Sequence, residues 1–202
     1  MIKVICFDLD GVYFPPEGKK AFQKALTDMT KNDEKVQYVL YKCPEMLEFV
    51  KGKMEEHLFW DFVRNYLDLK LTDQEFRDLW TKEYTINEEV RKYVLNAKAQ
   101  GYKTCICSNN NIARIESLQA RFNFLDDFDI KIFSYEIGFV KPEKEFFEEL
   151  IKQSEVNANE IVYSDDRPDR IEGAKELGIN VFVYENFPQF LSELKKLGVD
   201  LG

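Results

Sequence analysis

Apolar residues follow two rhythms along this chain. Short, nearly uncharged bursts occur at residues 2–7, 104–107, 130–133, 161–163 and 181–184. Apolar runs of that length, without alternation, are the pattern of parallel strands covered on both faces. Between the later bursts the spacing turns helical. Ile112, Ile115, Leu118 and Phe122 recur every three to four residues, and Pro142 opens a segment carrying Phe146, Phe147, Leu150 and Ile151. Strand and helix thus alternate from about residue 102 to the end, which predicts an α/β fold with an open, Rossmann-like parallel sheet and right-handed crossovers.

The stretch between the first burst and residue 104 shows helical patterns only. Leu58, Phe59, Phe62, Val63 and Tyr66 form one amphipathic stripe, and Thr72-Asp73-Gln74-Glu75 ahead of Phe76, Leu79 and Trp80 reads as a capping box. These aromatic stripes are read as helix-bundle packing. A helix over 87–100, stopped by Gly101, returns the chain to the sheet. The expected organisation is a core domain of residues 1–14 and 85–202, with a small all-helical unit, residues 15–84, inserted after the first strand. Pro15-Pro16-Glu17-Gly18 and Thr85-Ile86-Asn87 mark the crossings.

Composition narrows the classes. With 45% hydrophobic and 32% charged residues the chain groups with soluble globular proteins. Its 37 acidic against 28 basic residues, net charge -9, argue against non-specific adhesion to nucleic acid. No apolar run approaches the 18 or so residues of a membrane span, and the N-terminus lacks a secretory leader pattern, so a cytoplasmic location and no membrane partner are expected. Cys6, Cys43, Cys105 and Cys107 contain no CxxC pair and the lone histidine, His57, is far from them, so the cysteines are read as reduced core residues.

In an open α/β sheet, ligands gather beyond the carboxyl ends of the strands. After the first burst come Asp8 and Asp10; after the second, Ser108-Asn109-Asn110; after the third, a loop leading to Lys141-Pro142; after the fourth, Asp165-Asp166. Four carboxylates on one rim repel unless a cation sits among them, and oxygen-only ligands favour Mg²⁺. A lysine, a hydroxyl and a helix N-terminus at Asn109 then suit an anion such as phosphate. One carboxylate can attack phosphorus to give an aspartyl-phosphate, while a second protonates the leaving alcohol and later activates water.

Asp8-Leu9-Asp10-Gly11-Val12, Ser108-Asn109, Lys141-Pro142 and Asp165-Asp166 resemble, in order and strand context, the four motifs of the haloacid dehalogenase (HAD) superfamily. Gly138-Phe139-Val140-Lys141-Pro142 and Tyr163-Ser164-Asp165-Asp166-Arg167-Pro168 are similar to its short-capped branch. That branch includes glucose-1-phosphate phosphatase and the phosphatase domain of soluble epoxide hydrolase. The resemblance implies that Asp8 is nucleophile and metal ligand. Asp10 would be general acid/base, with its carbonyl on the metal. Ser108 and Asn109 would bind phosphoryl oxygens, with Leu9, Gly11 and Asn110 completing the phosphate site. Lys141 would steady phosphate and Asp8. Asp166 would ligate Mg²⁺ directly, with Asp165 a second ligand or acting through water. An acid two residues after the nucleophile points to phosphate chemistry rather than dehalogenation.

The implied activity is a Mg²⁺-dependent phosphatase for a small phosphorylated metabolite, such as a sugar phosphate, with the helical unit as a cap. Phosphoryl transfer to an acceptor, as in the phosphomutases, uses the same machinery, and a non-catalytic phosphate-binding or interaction protein is a third alternative. Blander readings stay open: proline at the first position of a helix for Pro142, a helix cap for Ser108, a surface position for His57, and pairing with Asp169 or an anion for Arg167. Asn110 and Asn111 are placed on the substrate side. Tyr13, Phe14, Lys42, Met46 and Trp60 do not select a substrate.

Overall fold

Each of the five bursts forms a parallel strand in the computed structural model, which describes residues 1–201. β1 (Val4–Asp8) is central, flanked by β2 (Lys103–Ser108) and β4 (Ile161–Asp165), with β3 (Ile130–Phe133) and β5 (Asn180–Val183) outermost, giving the order β3-β2-β1-β4-β5. β1 and β4 are buried along their whole length. Both run one or two residues further than their apolar bursts, so Asp8 and Asp165 end the ladder instead of following it. Pairing of Asp8 with Cys107 and of Phe7 with Ser164 brings the three central strand tips level at one edge.

Helices cover both faces, as a sheet apolar on two sides requires. On one, α6 (Glu88–Ala99), α7 (Ile112–Phe122) and α11 (Phe187–Lys196) pack Val94, Leu118 and Phe190 with Ile5, Phe7, Ile106 and Val162. On the other, α9 (Lys144–Ser154) and α10 (Glu172–Glu176) pack Phe146, Phe147 and Ala174 with Val4, Cys6, Cys105, Cys107 and Tyr163. A single turn, α8 (Ser134–Ile137), follows β3. Among the described residues no helix is long and apolar enough to cross a membrane.

Between β1 and α6 lie α1 (Glu17–Thr30), α2 (Asp33–Tyr41), α3 (Pro44–Val50), α4 (Glu56–Leu67) and α5 (Asp73–Thr81). They share their own apolar cluster, in which Trp60 stacks on Phe76 at 4.4 Å and Phe22 on Trp80 at 5.0 Å. The capping box forms: Thr72 Oγ1 accepts from the Glu75 N–H, and Glu75 Oε2 from the Thr72 N–H. The stripe on α4 is rotated from the expected one. Phe59, Trp60, Val63 and Leu67 are buried, whereas Leu58 is half exposed. Both series satisfy helical spacing, and the stack of Trp60 on Phe76 selects between them.

The two crossings run side by side, since the Asn87 N–H donates to the Tyr13 carbonyl at 2.9 Å while Asn87 Oδ1 caps α6. Polar ties join the five helices to the rest: Lys51 to Glu143 at 2.7 Å, Arg77 to Glu116 at 3.0 Å, and Ser134 Oγ donating to the Val50 carbonyl at 2.6 Å.

Candidate active site

Lys141 lies at the centre of the strand-tip edge. Its ammonium, 2% exposed as a residue, donates to Asp8 Oδ1 and Asp165 Oδ2, both at 2.7 Å, to the Tyr163 hydroxyl at 2.8 Å and to the Cys107 carbonyl at 3.1 Å. Burial alone would lower its pKa, but the two carboxylates outweigh it and keep the ammonium charged. A two-way clamp holds its backbone. Asn109 Oδ1 accepts from the Lys141 N–H at 2.8 Å, and Asn109 Nδ2 donates to the Lys141 carbonyl at 3.2 Å. The Lys141-Pro142 peptide is cis and α9 begins only after Glu143, so Pro142 precedes the helix and does not occupy its first position.

The three strand-end acids differ in their surroundings. Asp165 is saturated, accepting from Lys141, from the Tyr163 hydroxyl and, through Oδ1, from the Arg167 N–H at 3.0 Å. Burial pushes its carboxyl up, but these donors outweigh it and hold it low. Asp8 is driven well up, by burial and by the charge of Asp165, with Lys141 opposing. Asp166 is raised by burial and Asp165, and among the described residues it makes no hydrogen bond or ion pair. Carboxylate oxygens of all three lie within 4.8 Å of one another. Three acids facing one ammonium form an oxygen-only donor set with excess negative charge, which fits a hard divalent cation.

Gly11 makes room for this arrangement. It sits at φ +86°, and a Cβ there would lie 2.3 Å from Asp166 Oδ2. Gly11→Ala is therefore expected to cost about 1–2 kcal/mol of stability in the left-handed region and to raise the Mg²⁺ concentration needed for half-maximal activity, measured by metal titration beside thermal unfolding. The Gly11 N–H donates to the Phe14 carbonyl at 2.7 Å, closing the turn after β1. Leu9 is fully buried, so its side chain offers nothing to a ligand.

Asp10 lines the same notch and pairs with Arg114, a residue that sequence patterns did not single out. Burial raises Asp10, but the charge and hydrogen bond of Arg114 more than reverse this and keep it low. Arg114 is itself buried, lies between the rings of Trp80 (5.6 Å) and Tyr84 (5.0 Å), and leaves its Nε without a partner among the described residues. The available signal was its place on α7: Ala113, Arg114, Ile115 and Leu118 form the buried face, while Ile112 is 46% exposed.

The loop after β2 also departs from expectation. α7 starts at Ile112 with Asn111 as its cap, so no helix begins at Asn109 and Ser108 is not a helix cap. Ser108 stays buried at the strand tip, where its Oγ accepts from Asn110 Nδ2 at 3.3 Å. Asn110 and Asn111 border the adjoining cavity, yet their side-chain oxygens accept from the N–H groups of Asn111 and Arg114, so part of their hydrogen bonding is local.

A notch of about 120 Å³ containing Asp8, Ser108, Lys141, Asp165 and Asp166 shares Asp10, Lys19, Asn109, Arg167 and Arg170 with a cavity of about 650 Å³. The far wall of that cavity comes from the five helices, through Phe22, Tyr41, Lys42, Met46 and Trp80. Five cations and one carboxylate line it, in a protein of net charge -9, so the field there favours anions. Lys42 and Met46 are thus at the cavity, while Tyr13, Phe14 and Trp60 are core residues. Arg167 pairs with Asp169 at 2.7 Å, and His57 is exposed.

An open parallel sheet with acids and a lysine at its carboxyl edge, facing a helical insertion, defines a class of α/β hydrolases. The model for haloacid dehalogenase-like hydrolases matches residues 2–178, and the chain belongs to that family. It is 30% identical to a D-ribitol-5-phosphate phosphatase of Bacteroides thetaiotaomicron, over 96% of this chain and 97% of that one. Mouse bifunctional epoxide hydrolase 2 is 27% identical over 56% of this chain but only 21% of its own length. Among solved structures, a HAD-family enzyme of B. thetaiotaomicron, crystallised in a mutant form with magnesium and inorganic phosphate, superposes with TM-score 0.80 at 20% identity, covering 94% of this chain and 99% of the other. The L-2-haloacid dehalogenase of Xanthobacter autotrophicus reaches 0.66 at 19% identity, over 97% and 83%.

Proposed function

We propose that this hydrolase is a Mg²⁺-dependent phosphatase that removes phosphate from a small polyol or sugar phosphate through an aspartyl-phosphate, with residues 15–84 as its cap. The observation that carries the reading is the placement of Asp8 on the Lys141 ammonium beside Asp165 and Asp166, in a notch that joins a cation-lined cavity. Similarity to a ribitol-5-phosphate phosphatase along nearly the whole of both chains supports the substrate class.

Asp8 and Asp166 would hold the metal, and Asp165, saturated by its donors, would fix Lys141 and act on the metal at most through water. When bound, Mg²⁺ supplies charge that offsets the carboxylates and the phosphoryl oxygens. Asp8 attacks phosphorus as the ester P–O bond breaks, and Asp10, ionised beside Arg114 before substrate binds, passes to the leaving oxygen the proton that a phosphomonoester monoanion brings with it. Asp10 then takes a proton from the water that splits the aspartyl-phosphate. Ser108 and Lys141 steady the phosphoryl oxygens, and the helical wall limits water while the first step proceeds.

The test is inorganic phosphate release from a panel of polyol, sugar and other phosphomonoesters, with Mg²⁺ and with EDTA. Release with Mg²⁺ and none with EDTA is expected; silence across the panel from folded protein would remove the reading, and transfer to an acceptor with little free phosphate would mark a mutase. Mg²⁺ demand carries a sign. Asp8 and Asp166 hold protons to higher pH than ordinary carboxylates, so metal and proton compete and the half-maximal Mg²⁺ concentration should rise as pH falls.

Arg114→Gln tests the partner of Asp10. Without the guanidinium the Asp10 pKa rises, so the limb of the pH–rate profile governed by Asp10 should move to higher pH, and kcat should fall roughly tenfold or more. An unmoved limb would separate Arg114 from the acid/base step.

A further inference from the structure

Cys6, Cys105 and Cys107 form a second group of ligating atoms, distinct from the carboxylates in chemistry. Parallel pairing sets Cys6 beside Cys105, and Cys107 follows two residues along β2, so the three thiols leave the sheet on one face. Their sulfurs all lie within 4.8 Å of one another, with Cys105 and Cys107 at 3.7 Å. No disulfide joins them and each is at most 1% exposed. Val4, Ile132, Phe146, Phe147 and Tyr163 belong to the same apolar cluster, and the Lys141 ammonium, whose charge reaches Cys107, is already paired with Asp8 and Asp165. The sequence hid this group because Cys6 is about 100 residues from the other two. Small apolar packing accounts for the burial of each thiol; it does not require that three sulfurs converge on one point.

We propose that this trio binds one trivalent thiophilic ion, arsenic(III) or antimony(III). Thiolate ligands select soft ions, and charge selects the valence. An ion in a dry core must be neutral overall or paired. Three thiolates around a monovalent or divalent ion leave net negative charge, whereas around a trivalent one they sum to zero. Zinc would want a fourth ligand, and neither of the remaining candidates supplies it: Cys43 belongs to the helical segment and His57 is on the surface.

A centre among three sulfurs that all lie within 4.8 Å of one another is at most about 2.8 Å from each, against roughly 2.3 Å for a zinc–thiolate bond. Small side-chain rotations therefore close the site. With arsenous acid, three As–O bonds break and three As–S bonds form. The three thiol protons leave with the three hydroxyls as water, and no oxidation state changes. Entry requires local opening of the helices over this face, so the adduct forms slowly. The site lies directly beneath Lys141, whose ammonium donates to the Cys107 carbonyl at 3.1 Å.

The test uses the full chain, reduced with a phosphine, freed of small thiols and incubated with arsenite, then read by native mass spectrometry. One arsenic per chain with loss of three hydrogens is expected. Cys43→Ser should bind as the unaltered chain does, and Cys6→Val and Cys105→Val should each bind roughly tenfold or more weakly, about 1.4 kcal/mol. No adduct at millimolar arsenite, an adduct kept at full strength by both valine variants, or one lost in Cys43→Ser would overturn the proposal. Arsenic X-ray absorption on the unaltered chain removes any dependence on how the variants fold: three sulfur neighbours uphold the site, and two or fewer refute it.

Discussion

Asp8→Asn should lower phosphate release by on the order of 10³-fold or more while the protein stays folded. The amide matches the carboxylate in shape, but it lacks the charged oxygen that attacks phosphorus and that would ligate the metal. The structure argues that the fold tolerates the change. Asp8 is held high by burial and by Asp165, so losing its charge relieves repulsion, and Lys141 keeps Asp165 as a partner at 2.7 Å. Thermal unfolding without metal should show a midpoint unchanged or raised. Turnover that survives in the variant would move the nucleophile elsewhere; a collapsed midpoint would mean that the Asp8–Lys141 pair is chiefly structural.

Lys141→Met should have the opposite balance, damaging both stability and activity. Methionine fills similar volume without a charge, leaving Asp8 and Asp165 side by side in a nearly dry notch. Removing one partner of a buried ion pair costs about 3–5 kcal/mol, and urea unfolding in EDTA would measure it. Adding Asp165→Asn to Lys141→Met should recover part of the loss because one of the two stranded charges is gone, while activity stays low. If the single variant unfolds like the parent protein, water or a shared proton already relieves the acids, and the hub contributes little to the fold.

Strand existence and order of motifs were legible because five short, nearly uncharged apolar runs have few other uses in a chain of this length. Asp8 and Asp165 were legible for a related reason, since charged residues close to the ends of such runs meet at the strand tips; Lys141, well past the third run, was legible through the Lys141-Pro142 motif. Arg114 escaped because it lies inside a helix, one position along from residues that periodicity marked as apolar, and its burial depends on Trp80, Tyr84 and Asp10, which are distant in sequence. The rotated face of α4 escaped likewise, since two stripes fit its spacing and only the Trp60–Phe76 stack distinguishes them. Helix starts at Ile112 and Lys144 came later than the nearest polar or proline residue suggested, because the intervening residues bond locally within the loops.

The amide clamp on the Lys141 backbone restricts what evolution can place at position 109. A side chain there must give a hydrogen to the Lys141 carbonyl and receive one from the Lys141 N–H, at 3.2 and 2.8 Å. Aspartate would receive but not give, and at neutral pH would set another negative charge beside a notch already rich in them. Glutamine has both groups, but its extra methylene would carry them past the residue they must straddle. Drift at this position is therefore blocked by the backbone of a neighbouring loop, whichever metabolite the cavity comes to accept.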